Sequence, residues 1–199
     1  MVGGGVLEDG VGQEEHLFME HPECIASRLF VARLADEDAL IIRNAVRVRG
    51  GEVEVGTEKV CVDALPFTYA RLLGLEEYSE REVRREVNKR LVGMGNRAAP
   101  VVVTGKWGCG SFGGTFELKL VIQWIGCSLC GMEGQVLKWN RDWNSERENE
   151  VIGMLVEFMR EKGNKLTIKQ VADALLDCVK ETPKNPYIVK DIIKKLQNL

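Results

Sequence analysis

Residues 100–122 run without a break from a β-branched segment, through a glycine-rich turn, into an apolar segment of helical period. Such a succession demands an α/β layered fold. Pro100-Val101-Val102-Val103-Thr104 reads as a central strand. Gly105 to Gly114 follows as the turn, and Leu118, Val121, Ile122, Ile125 and Leu129 then recur at helical spacing. Gly108-Cys109-Gly110-Ser111-Phe112-Gly113 is a G-x-G-x-x-G between strand and helix. In that setting a pyrophosphate rests on backbone N–H groups and a helix N-terminus. A tight strand-to-helix turn is the plain alternative. A Rossmann unit would place an acidic residue about 20 positions on, at the end of the next strand. Glu133 precedes the strand expected over Gln135 to Trp139, and Asp142 follows it, so the Rossmann reading ranks below.

The start of the chain carries a second glycine cluster. Gly3, Gly4 and Gly5 are followed, after seven intervening residues, by Gln13, Glu14 and Glu15. Consecutive glycines let the backbone turn sharply and bring its N–H groups against a ligand. The acidic pair opens a helical segment that continues through Leu17, Phe18, Cys24, Ile25, Leu29 and Phe30; carboxylates suit a helix start. A flexible terminus leading into an ordinary helix is the plain alternative. His16 adjoins Glu15 but points about 100° away on a helix, which makes it a surface residue. Glycosidases that use two carboxylates hold them roughly 5 to 9 Å apart across the scissile bond. Glu14 and Glu15, neighbours on one helical turn, cannot face each other that way, so they are not an acid-plus-nucleophile couple.

The two motifs together resemble the signature of the poly(ADP-ribose) glycohydrolases. The resemblance extends in order over His21 to Phe30, Val62 to Leu65, Arg84 to Lys89, Thr104 to Gly114, and Leu118-Lys119 with Leu120 to Gln123. It implies a macrodomain-like core, a three-layer mixed sheet, with a helical C-terminal third at 145–199 of a single catalytic domain, 1–199. The implied activity is hydrolysis of the ribose–ribose O-glycosidic bonds of poly(ADP-ribose), releasing ADP-ribose. Glu15 would be the acid/base, Glu14 the ribose-binding partner, and Gln13 the residue orienting them. Gly3, Gly4, Gly5 and the stretch Trp107, Gly108, Cys109, Gly110, Ser111, Phe112, Gly113 would hold the terminal ADP-ribose. The implied chemistry uses no cofactor and no metal. The implied partners are poly(ADP-ribose) and ADP-ribosylated proteins, with no direct DNA binding, no membrane and a monomeric state; the setting is the DNA damage response, in nucleus or cytoplasm. A reader of ADP-ribose with weak or absent turnover is the competing class.

This sequence also departs from the family pattern. Only Met1 and Val2 precede Gly3, whereas the family has further strands and a helical accessory region there. The expectation is a partial catalytic domain, marginally stable and weakly active. No aromatic occurs from Arg43 to Val55, where the family has an adenine-clamping tyrosine; Arg47 or Arg49 would have to stack there instead. Lys106 stands where the family usually has Asn, and Thr115 where Asp is common.

Composition narrows the function classes. With 199 residues the chain suits one domain, and a net charge of −3 offers no general basic field to a polyanion. A phosphate polymer must therefore be held by local loops and helix ends. The start is glycine-rich and acidic, without a basic or apolar leader. The six cysteines, Cys24, Cys61, Cys109, Cys127, Cys130 and Cys178, are expected as free thiols of a reducing, intracellular compartment. Cys127 and Cys130 form a C-x-x-C without a second ligand pair, read as core or half-buried thiols.

Elsewhere, strands are expected at residues 39–42 and 59–62, and a hairpin over Val46 to Arg49 and Glu52 to Val55. Ser79-x-x-Glu82, Ser145-x-x-Glu148 and Thr167-x-x-Gln170 cap three helices, and Pro186 opens a fourth.

Overall fold

A computed structural model describes residues 13–49, 52–54, 58–95, 101–132, 134–137, 145–182 and 185–199. It divides into two compact units, Met1–Asp63 and Ala64–Leu199. The fold is mixed α/β and rich in helix. Among the described residues the strands form three two-stranded pairs.

In the first unit, α1 (Gln13–Glu20) is followed by a 3-10 helix, Pro22–Leu29. The single long helix expected from the apolar spacing is therefore interrupted. Pro22 has no N–H to continue the ladder, and its ring clashes with the preceding turn. The phase shift leaves Leu29 and Phe30 exposed at 88% and 75% instead of packed. His21 fills the break: its backbone N–H and its Nδ1 both bond the Leu17 carbonyl, at 3.0 and 2.9 Å. Phe18, Cys24 and Ala45 form a small core with Ile25, Ile42 and Cys61 against it. β1 (Leu40–Ile42) pairs antiparallel with β4 (Lys59–Cys61), and β2 (Arg47–Arg49) with β3 (Glu52–Glu54). The expected strands and hairpin thus form; the turn at 50–51 lies outside the described residues.

The second unit is organised around α4 (Phe116–Leu129). The expected stripe is there, with Leu118, Val121, Ile122 and Ile125 buried, although Leu129 is 46% exposed. Burial goes further than one face: Leu120, Glu117, Lys119 and Gln123 are buried as well. A helix enclosed on nearly all sides is a central element, so its polar residues need internal partners. After the single turn α2 (Ala70–Leu73), the helices packed around α4 are α3 (Glu80–Met94), α5 (Glu146–Lys162), α6 (Ile168–Glu181) and α7 (Ile188–Gln197). Ser79, Ser145 and Thr167 each accept a backbone N–H at a helix start, at 3.3, 3.2 and 3.2 Å, and the last two complete capping boxes.

β5 (Val101–Thr104) pairs in parallel with β6 (Gly134–Leu137), with α4 as the crossover. Among the described residues β5 pairs with β6 alone. Val101 and Val103 are 46% and 59% exposed, so β5 has one open face among the described residues. A continuous apolar run signals a strand but not which of its faces is covered.

The helical C-terminal part anchors α4 at its start. Glu117, in the first turn, accepts from Arg147 of α5 at 2.9 Å and from the Val189 N–H of α7 at 3.2 Å. Two helix beginnings are thereby tied to a third through one buried carboxylate.

Candidate active site

The residues singled out from the sequence fall in both units, and each group is described within its own. In the first unit, Gly3, Gly4 and Gly5 lie outside the described residues. Gln13 and Glu14 open α1, where only their helical backbone is described. Glu15 is half-buried in the first turn and His16 is exposed, as the helical offset requires. The far end of α1 is fixed to the hairpin. Arg47 Nε and Nη2 lie 2.9 and 2.8 Å from the same carboxylate oxygen of Glu20. Arg47 is thus held by Glu20, whereas the sequence suggested it as a substitute adenine clamp.

In the second unit, Gly105 to Gly114 form a turn pinned from both sides. Gly108 and Gly113 have φ of +76° and +68°, conformations that favour glycine. A Cβ added at Gly108 would lie 2.8 Å from Ala64 Cβ and 3.1 Å from Lys119 Nζ. One added at Gly113 would lie 2.7 Å from Thr68 Oγ1. Thr68 reaches across with two bonds: its N–H to the Phe112 carbonyl at 2.9 Å and its hydroxyl to the Ser111 carbonyl at 2.7 Å. Inside the turn, the N–H groups of Trp107, Cys109, Gly113 and Gly114 donate to the carbonyls of Gly105, Lys106, Gly110 and Gly108. The N–H groups of Gly108, Gly110, Ser111 and Phe112 donate to no group among the described residues. Gly110, Ser111 and Phe112 are exposed. A turn with rigid ends and unspent, solvent-reached amides is an anion receptor in the general sense.

The helix start beyond the turn is occupied differently from the sequence expectation. The Thr115 N–H and hydroxyl both donate to Glu77, at 2.5 and 2.8 Å. A carboxylate from outside α4 thus satisfies its N-cap position, where a helix favours negative charge. Glu77 thus takes the N-cap position of α4, while the N–H groups of Gly108, Gly110, Ser111 and Phe112 have no acceptor among the described residues. Lys106 ion-pairs with Glu148 at 2.7 Å, which ties the turn to the first turn of α5.

Beneath the turn lies a layer of buried charge. Lys119 Nζ pairs with Glu86, and both residues are 1% exposed. Glu86 also accepts the Leu65 N–H at 2.9 Å and lies 3.1 Å from Arg85 Nη1. Lys119 Nζ sits 4.5 Å from the centre of the Trp107 ring, and the Arg90 guanidinium 4.2 Å from it. Burial pulls Arg90 down to about 10, which still leaves it protonated at neutral pH. Burial raises the Cys109 thiol to about 12, so it is a neutral thiol there and no nucleophile. Cys127 and Cys130 are likewise pushed up by burial, and Cys127 Sγ contacts Met94 Sδ at 3.8 Å.

Sequence reasoning found the turn but assigned no role to Thr68, Glu77, Glu86, Arg90, Lys119 or Gln123. A signal was present for four of these. Glu86 and Arg90 are four apart on α3, and Lys119 and Gln123 four apart on α4. Each pair shares a helix face, and Lys119 with Gln123, a polar pair within the apolar α4, implies partners opposite. Thr68 and Glu77 sit in segments with no periodicity to read.

Comparison with known proteins bears on the family of the chain. The sequence model of the poly(ADP-ribose) glycohydrolase family, described as a macro domain fold, matches residues 1–53 and 49–141. Poly(ADP-ribose) glycohydrolase 2 of Caenorhabditis elegans is 30% identical over 162 residues, which cover 64% of this chain and 33% of that protein. Poly(ADP-ribose) glycohydrolase 1 of the same organism is 28% identical over 158 residues, 62% of this chain and 20% of that protein. Poly(ADP-ribose) glycohydrolase 1 of Arabidopsis thaliana is 25% identical over 216 residues, 64% of this chain and 39% of that protein. These matches thus cover between 20% and 39% of the length of these relatives. With a family match that runs through both the acidic helix and the glycine turn, the chain belongs to the poly(ADP-ribose) glycohydrolase family.

Proposed function

We propose that this chain hydrolyses the ribose–ribose O-glycosidic bonds of poly(ADP-ribose) and releases ADP-ribose. The observation that carries the reading is the 105–114 turn, pinned by Thr68 and by the close approach of Gly108 to Ala64, with four N–H groups donating to nothing among the described residues. Such a turn suits a pyrophosphate, whose oxygens accept several N–H bonds at once. Glu15 is assigned the acid/base role, Glu14 the ribose hydroxyl and Gln13 their orientation. Glu15 gives its proton to the leaving ribose oxygen as the C–O bond breaks and positive charge grows at the anomeric carbon. The carboxylate then takes a proton from water, whose oxygen adds to that carbon. One water is consumed and the acid is regenerated. The full three-layer macrodomain sheet, a monomeric state and action on ADP-ribosylated proteins belong to the same proposal.

The ligand half of this reading is tested by thermal unfolding. A ligand at about a hundred times its Kd, binding only the native state, stabilises by about 2.7 kcal/mol. For a chain of this size that raises Tm by roughly 5–10 °C. ADP-ribose is expected to produce this shift. No shift at millimolar ADP-ribose, in a sample with a cooperative transition, contradicts the reading.

A further inference from the structure

We propose that Arg90 is a positioning residue for anion binding by the 105–114 turn, acting through Trp107. The inference rests on the pyrophosphate reading above and assigns it a buried determinant. Arg90 is carried on α3 at a very close crossing with α4. A Cβ added at Gly126 of α4 would lie 2.5 Å from Arg90 Cβ, so only glycine admits the two backbones at this separation. The crossing fixes the base of the Arg90 side chain.

Its guanidinium then makes two contacts that lead to the turn. One nitrogen, Nη2, donates to Gln123 Oε1 at 2.7 Å. The same oxygen accepts the Thr104 hydroxyl at 2.8 Å, where β5 ends. Gln123 Nε2 reaches the Gly105 carbonyl at 3.5 Å. The flat face of the guanidinium lies over the Trp107 ring at 4.2 Å. Arg90 thus reaches the strand exit through Gln123 and touches Trp107 directly, on either side of Gly105 and Lys106. The amides that donate to no group among the described residues begin at Gly108, one residue past Trp107.

The arrangement is costly for folding alone. Arg90 is 3% exposed; among the described residues it bonds a neutral amide and stacks on an aromatic ring, its Nε has no hydrogen-bond partner, and Glu86 acts on it through charge without a direct bond. A buried cation without a direct carboxylate partner is expensive. Lysine would not replace it, because a stacked, forked guanidinium has no ammonium equivalent. A positive charge held beneath the turn also favours an anion on the turn, in a medium of low dielectric.

The test compares wild type, Arg90→Met and Arg90→Lys, each shown to be folded and measured well below its Tm. The probes are inorganic pyrophosphate and ADP-ribose for affinity, and poly(ADP-ribose) for kinetics. Arg90→Met is expected to weaken both affinities at least tenfold and to raise KM at least tenfold with kcat within about threefold. A purely structural role would instead lower the active fraction and hence kcat, leaving KM and the affinities unchanged; that result overturns the inference. Arg90→Lys is expected to weaken affinity at least threefold, and it decides the matter should Arg90→Met fail to fold. Full retention of affinity by the lysine variant overturns it. Pyrophosphate binding that depends on Arg90, in a protein that leaves poly(ADP-ribose) intact, upholds this inference and contradicts the hydrolase reading. Turnover by wild type with unaltered affinity in both variants does the reverse. A wild type that binds neither anion contradicts both.

Discussion

Glu15→Gln is expected to lower turnover of poly(ADP-ribose) by a factor on the order of 10² to 10⁴ while leaving ADP-ribose affinity within about twofold. The size of the loss is that of a positioned general acid–base. Glutamine keeps the length and shape of the side chain but cannot give and recover a proton. The contrast with affinity matters, because a change that merely disturbed α1 would weaken ligand binding too. The site favours such a clean experiment. Glu15 is only half-buried, and α1 is held by Phe18 in the core and by Arg47 on Glu20. Initial rates of ADP-ribose release, paired with a binding titration, make the measurement. A variant that turns over at the wild-type rate removes Glu15 from the chemistry.

Lys119→Met is expected to produce the largest loss of stability of any single change at the turn. Lys119 and Glu86 are both fully enclosed and face each other. Removing one partner of a buried pair strands the other charge, at about 3–5 kcal/mol. For a chain of this size the Tm falls by on the order of 10 °C. Glu86 would keep the Leu65 N–H and Arg85, which offset only part of its desolvation. The double variant Lys119→Met with Glu86→Leu removes both charges at similar volume, and it should regain most of the lost Tm. Thermal unfolding of the three proteins checks this. A shift under about 2 °C for the single variant would mean that the pair is not enclosed as described. Because Lys119 Nζ also lies against Gly108 and beneath Trp107, the single variant should lose ADP-ribose affinity as well.

The sequence made the local elements legible wherever a short-range rule governs them. The capping residues Ser79, Ser145 and Thr167 start helices because a hydroxyl two or three residues before a free N–H decides the matter locally. The hairpin around residues 50–51 and the strand, turn and helix over residues 101–129 are of the same kind. What failed depended on tertiary surroundings. Apolar spacing carried the first helix through Pro22, where backbone chemistry ended it. Valine content marks β5 as a strand, but coverage of its faces depends on which elements lie against it. The glycines of residues 105–114 mark the turn, and its reading as a phosphate seat belongs to the proposal. Its helix terminus proved to hold Glu77, a residue 38 positions from Thr115 in a segment without pattern. The charged layer of Glu86, Arg90, Lys119 and Gln123 was visible only as two polar pairs at helical spacing, and its meaning emerged when α3 and α4 faced each other.

The most direct measurement is the release of free ADP-ribose from poly(ADP-ribose) of defined length, followed by chromatography against time, with the protein shown to unfold cooperatively. Steady accumulation of ADP-ribose with matching shortening of the polymer, abolished in Glu15→Gln, is the predicted result. Polymer that stays intact while the folded protein binds ADP-ribose would contradict the hydrolase account and leave a reader of ADP-ribose in its place.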